Sequence, residues 1–164
     1  MTQKLTFLVL FLIGVGCTSS TQEKKVEEVV DENYDPILTP YFSIVEALIK
    51  DDFEKARTYG LEVSKATSDT GVKLALTGMG TLMAEASSSY DQRAILEQFG
   101  MVIPLYLEQS IINDYPIYTF KCKNEFDEKE VFWFSLSKQS KNPFIGNNSG
   151  DCVEMVEEIK PIIK

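Results

Sequence analysis

Sulfur and carboxylate are the reactive groups this chain has to offer, because its 164 residues include three cysteines, five methionines and no histidine. Without imidazole, mechanisms that use it as a base at neutral pH, a proton shuttle or a metal ligand are excluded. Cys122 and Cys152 bracket the aromatic run Phe132-Trp133-Phe134-Ser135 and the stretch Asn142-Pro143-Phe144-Ile145-Gly146. Two thiols so placed can ligate a soft metal or form a structural cross-link. The adjacent carboxylates Asp51 and Asp52 could act as a cation site or an acid/base pair, but a glutamate at 54 makes the capping of a helix start the better reading. Met79 and Met83 lie one helical turn apart, with no cysteine nearby in sequence, and read as core packing. No Cys-x-x-Cys, phosphate loop or nucleophile elbow is present, so the chain is expected to be non-enzymatic.

The elements that must position these residues begin as helices. Thr39-Pro40 is a helix start, a capping hydroxyl followed by proline, and Tyr41, Ile44, Val45, Leu48 and Ile49 follow with helical spacing. A second helix starts at Asp51-Asp52 and carries Phe53, Ala56, Gly60, Val63 and Ala66 on one face. After the turn Ser68-Asp69-Thr70-Gly71, a third presents Val72, Ala75, Leu76, Met79, Leu82, Met83 and Ala86, with Gly78 and Gly80 available for close helix approach. Ser89 or Asp91 caps a fourth that carries Ile95, Leu96, Phe99, Val102, Ile103 and Tyr106, with Pro104 placed to bend or divide it.

Beyond Asn113-Asp114 the periodicity changes. Pro116–Cys122 and Val131–Leu136 are short, aromatic and β-branched, separated by a polar, acidic stretch, and they predict a β-hairpin. Asn142–Asp151 reads as a loop, and a short terminal helix is expected from about Asp151 to Ile159, stopped by Pro161. The expected fold is therefore mainly α: an antiparallel four-helix bundle with a C-terminal β-hairpin, loop and short helix.

The N-terminal Lys4 precedes an apolar run from Leu5 to Val15, too short for a permanent span and suited to the apolar region of an export signal. Ile13-Gly14-Val15-Gly16-Cys17, followed by Thr18-Ser19-Ser20, resembles a bacterial lipoprotein signal. That resemblance implies removal of residues 1–16, acylation of Cys17 and anchoring to a membrane without a transmembrane helix. Residues 17–35 then form a Lys/Glu-rich tether and 36–164 the folded domain. Thr18, in place of an aspartate, favours the outer over the inner membrane by the same resemblance. The net charge is −9, so nucleic acid is an unsuitable partner.

The tail itself resembles a family. Tyr118-x-x-x-Cys122, Trp133-Phe134-Ser135, Asn142-Pro143-Phe144-x-Gly146 and Cys152 are similar to the signature of an uncharacterised bacterial envelope domain. That domain occurs as a lipoprotein or fused to membrane-fusion subunits of copper and other heavy-metal efflux systems. The likeness extends weakly upstream through Gln92-Arg93 and the Phe53 region. It implies a helical bundle with this tail, an accessory role in metal homeostasis, efflux components as partners and Cu(I) or Zn(II) as candidate ligands of Cys122 and Cys152. The family's two signature methionines are missing here, with Lys123-Asn124 after Cys122 and Ser149 before Cys152; Met155 is a distant substitute. If Cys17 is acylated, the other two cysteines make an even pair in an oxidising compartment, which favours a disulfide. Such a bridge, closing a loop of 30 residues, is worth about 3–4 kcal/mol. The alternatives are thus a metal-linked binding module and a structural or interaction lipoprotein with a stapled tail.

Overall fold

The computed structural model describes residues 35–69, 71–109, 115–123, 129–147 and 152–161. The signal segment, Cys17 and the tether up to residue 34 lie outside these residues.

Helix α1 (Leu38–Ile49) begins one residue before the expected Thr39-Pro40 start. Asp35 sets this boundary: its Oδ1 accepts the N–H groups of Ile37 (2.8 Å) and Leu38 (2.7 Å), while Thr39 Oγ1 accepts that of Asp35 (3.2 Å). Tyr106 closes the cap, donating its hydroxyl to Asp35 Oδ2 at 3.0 Å. The periodic face is buried as predicted, but so are Leu38, Pro40, Phe42 and Ala47. A helix apolar on most of its circumference belongs inside a domain. Accordingly α1 packs on α2 (Phe53–Ser64), on α4 (Ser89–Gln109) and on strand β2 (Glu130–Ser135).

Successive helices pack on one another, α1 on α2, α2 on α3 (Gly71–Glu85) and α3 on α4. The α2–α3 contact is made at glycines. A Cβ on Gly80 would come within 2.7 Å of the Ser64 nitrogen and 2.8 Å of the Gly60 oxygen, and one on Gly60 would meet the Met83 side chain. This close crossing sets the rotation of α3. Thr77 and Gly80 are buried in it, whereas Leu82, assigned to the apolar face by periodicity, is 50% exposed. Met83 is fully buried and Met79 packs partly buried against the same core. α4 starts from Ser88, whose Oγ accepts the Asp91 N–H at 3.1 Å and donates to its carboxylate at 2.7 Å. It runs undivided through Pro104, held on either side of that exposed residue by buried Ile103 and Tyr106.

The tail forms an antiparallel three-stranded sheet in the order β2-β1-β3, with β1 at Ile117–Lys123 and β3 at Glu154–Ile159. Strand β3 corrects the expected terminal helix. Val153, Val156 and Ile159 repeat with near-helical spacing, but the segment pairs with β1 instead, Lys121 opposite Glu154 and Ile117 opposite Ile159. Ladder bonds to β1, together with the covalent attachment described below, override a short and weak local preference. Between β1 and β2 the register sets Phe120 opposite Trp133 and Cys122 opposite Val131. The outer edge of β2 is covered by α1, because the buried Tyr41 hydroxyl accepts the Phe134 N–H at 3.1 Å. Burial pushes the Tyr41 phenol well above its ordinary value, so it stays neutral in that role.

Candidate functional site

Cys122 and Cys152 are joined as a disulfide, their Cα atoms 5.0 Å apart. Cys122 reaches the bridge from β1, where alternation puts it on the same face as Phe120 and the opposing Trp133. Trp133 is fully buried, stacked on Phe120 at 5.6 Å between centroids and met edge-on by Phe144 at 6.1 Å. Its indole N–H donates to Ser140 Oγ at 3.0 Å. Asn142, almost fully buried, ties this aromatic cluster to the bridge: its amide donates to Cys152 Sγ at 3.3 Å and its Oδ1 accepts the Phe144 N–H at 2.8 Å. Tyr118 lies on the same strand face, under the Lys138 ammonium at 5.9 Å from its ring centroid. Phe120, Trp133, Asn142 and Phe144 are thus one packed unit, with the disulfide at its edge.

A second group of residues anchors that unit to the helices. Arg93 of α4 donates through Nε to the Pro143 carbonyl (2.9 Å) and through Nη2 to the Leu48 carbonyl (3.2 Å), and it is ion-paired with Asp51. Asp51 also accepts the Asn147 N–H at 2.9 Å. Gly146 sits at φ +59°, where a Cβ would overlap the Asp51 carboxylate and touch the Arg93 guanidinium. Glycine is required twice there, by conformation and by space. Asp51 itself has φ +54°, a strained setting for a side-chain-bearing residue at the α1–α2 junction.

The adjacent aspartates therefore separate in role. Asp52 caps α2, its Oδ1 accepting the Lys55 N–H at 3.1 Å, one residue later than the Asp51 that a capping box with Glu54 requires. Asp51 is not part of that cap; it receives the loop that carries Gly146 and Asn147. The Asn147 N–H, then the Arg93 side chain, hold its carboxyl below the ordinary aspartate range. Gln92 and Phe53 are brought together beside this junction, with the Gln92 amide donating to the Phe53 carbonyl at 3.1 Å. Sequence reasoning missed Asp51 and Asn147 as loop anchors. The signal for them was only the joint presence of Gln92-Arg93 and the Asn142–Gly146 stretch, which no periodicity connects.

Two openings border these groups. One, about 390 Å³, exposes the bridge among Lys121, Glu130, Val153 and Glu154. The other is an open groove of about 700 Å³ between α1, α2 and the residues after β2, with Phe42, Tyr59 and Tyr115 on its walls. Its rim charges are internally paired, Lys50 with Glu46 at 3.5 Å and Lys55 with Asp52 at 2.9 Å. Among the described residues no three or more cysteine, aspartate or glutamate side chains gather in a way that could hold a metal ion. No described helix is long and apolar enough to cross a membrane. Cys17 lies outside the described residues. Comparison with known protein families, with curated proteins and with solved structures finds no match for this chain.

Proposed function

We propose that this chain is a lipid-anchored, non-enzymatic binding or accessory module of the bacterial cell envelope, with a tail stapled by disulfide and presented on a bundle of antiparallel helices. The observation that carries the reading is the Cys122–Cys152 bridge, because structural disulfides persist in exported proteins and are rare in reducing compartments. It agrees with the export-type run Leu5–Val15 and with the cysteine and small polar residues that follow. The sheet then acts as a hairpin extended by β3, and the groove between α1 and α2 is the face offered to a ligand or partner. In this reading acyl chains on Cys17 hold the module on the periplasmic side, preferably of the outer membrane, and residues 17–35 are the tether. Labelled palmitate should enter the wild-type protein and not Cys17→Ala, which should leave the membrane fraction. Equal labelling of both proteins would remove the anchor.

A link to copper or heavy-metal homeostasis, with efflux components as partners, rests on the resemblance of the tail. The oxidised chain does not fit a Cu(I) or Zn(II) site, since a disulfide offers no thiolate. One observation keeps the reading alive for the reduced chain. Met155, three residues after Cys152, supplies a third soft donor close in sequence to that thiol. Stoichiometric Cu(I) binding by reduced protein, lost in Cys122→Ser, supports it; no binding by the fully reduced chain rejects it.

A further inference from the structure

Strand β1 is held by two very unlike neighbours. On one side β2 contributes Val131, Trp133, Phe134 and Ser135 to the buried interior. On the other, β3 exposes every side chain from Glu154 to Glu158, and only Ile159 is half-buried. The β1–β3 ladder also breaks register between Thr119 and Phe120, leaving Val156 as an extra residue. The ion pairs of β3, half-buried Lys121 with exposed Glu154 at 3.4 Å and exposed Lys138 with Glu158 at 3.7 Å, each have at least one partner open to solvent and are therefore weak. Burial that does not come from the strand must come from its ends, where Val153 and Ile159 pack partly against the core. The strong attachment is the covalent one, two residues ahead of the strand at Cys152.

That attachment is within reach of solvent. Cys122 is 5% exposed, but Cys152 is only partly buried and the opening of about 390 Å³ lies over the bridge. We propose that the Cys122–Cys152 disulfide is a redox-sensitive latch: a dithiol reductant opens it, β3 leaves the sheet, and the edge of β1 becomes free while the helical core and the β1–β2 pair stay folded. In the opening step a thiolate of the reductant attacks Cys152 Sγ, the accessible sulfur, and the S–S bond breaks with its electron pair going to Cys122 Sγ, which takes a proton from solvent. The second thiol of the reductant then attacks its own sulfur in the mixed disulfide. Cys152 leaves as thiolate beside the Asn142 amide, which already donates to it at 3.3 Å, and takes the second proton from solvent, while the reductant departs as its cyclic disulfide. Two electrons and two protons reach the protein, and the dithiol is oxidised. Release of β3 exposes little apolar surface, so it can occur without global unfolding.

Hydrogen exchange on the purified full chain, oxidised and after dithiothreitol, tests the latch, with Cys122→Ser/Cys152→Ser as an arm that needs no reductant. Amides of Glu154–Ile159 and the β3-facing amides of Ile117–Lys123 should exchange at least about a hundredfold faster without the bridge, while α1 and Glu130–Ser135 keep their protection. Unchanged exchange in Glu154–Ile159 overturns the proposal. So does loss of protection in α1 and β2 in the same step, which would make the bridge a staple of the whole fold, and so does a bridge that native-state dithiothreitol leaves intact. The result does not depend on acylation of Cys17, so a failed palmitate experiment leaves this inference standing.

Discussion

Replacing Gly146 by alanine tests how the loop from Asn142 to Asn147 is anchored to the helices. Two costs act at this position. At φ +59° an alanine pays the left-handed backbone penalty, about 1–2 kcal/mol. The added Cβ would also overlap the Asp51 carboxylate and press on Arg93, whose guanidinium holds the carbonyls of Leu48 and Pro143. Displacing it loses hydrogen bonds from a charged, largely buried donor, about 1–2 kcal/mol more. The sum, about 2–4 kcal/mol, is a substantial part of the stability of a domain this size. Urea unfolding of the oxidised chain, followed by Trp133 fluorescence, should show the loss as a lower midpoint at unchanged slope. The decisive comparison is the same substitution in an Asp51→Ala background, where the overlap with the carboxylate is gone. There only the backbone penalty and the contact with Arg93 remain, so Gly146→Ala should cost less than in the wild-type chain, and the two substitutions should be non-additive. An identical cost in both backgrounds would show that the contact with the Asp51 carboxylate is incidental.

Other perturbations follow from the same contacts. Tyr41→Phe removes the acceptor of the buried Phe134 N–H and should destabilise by about 1–3 kcal/mol with little change in shape, read by urea midpoint and circular dichroism. Gly80→Ala forces α2 and α3 apart and should cost about 1–3 kcal/mol, whereas Gly78→Ala, with nothing within 4 Å of the new Cβ, should gain up to about 1 kcal/mol; equal effects would refute the close crossing. Asp51, Asp52, Asp69 and Asp91 all titrate below the ordinary aspartate range, held there respectively by the Asn147 N–H with Arg93, by Lys55, by Lys73 and by the hydroxyls of Ser88 and Ser87. Groups depressed by folding contribute stability that is complete above the unfolded value, about 4, and disappears as the pH falls through the folded values below it. The urea midpoint should therefore be insensitive to these four groups above about pH 5 and fall between about pH 4 and 2, less steeply in Asp51→Asn. A midpoint constant down to pH 2 would contradict these interactions.

How much of this was legible beforehand depended on whether the signal was local. Tyr41, Ile44, Val45 and Leu48 announce α1 because a helix repeats its buried face every three or four residues, and all four are fully buried. The same reasoning understated α1, since a stripe is what periodicity detects and this helix is enclosed on most sides. It misassigned Leu82 because rotation of α3 is fixed by glycine contacts with α2, a property of two segments together. For β3 the local pattern pointed to the wrong structure. Glu154–Ile159 buries almost nothing, so its own residues say little about how it should fold; pairing with β1 and the bridge at Cys152 decide instead. The junction of Asp51, Arg93, Pro143, Gly146 and Asn147 spans 96 residues of sequence and has no period at all. Yet it gives a physical reason for the Asn-Pro-Phe-x-Gly stretch: Asn142 turns the chain and faces the sulfur, Pro143 presents its carbonyl to Arg93, Phe144 closes on Trp133, and Gly146 leaves room for Asp51. Each of those roles is structural and none needs a metal. The form of the tail is thus accounted for by these contacts, and the test of the proposed metal role lies with the reduced chain, where Cys122 and Cys152 are thiols.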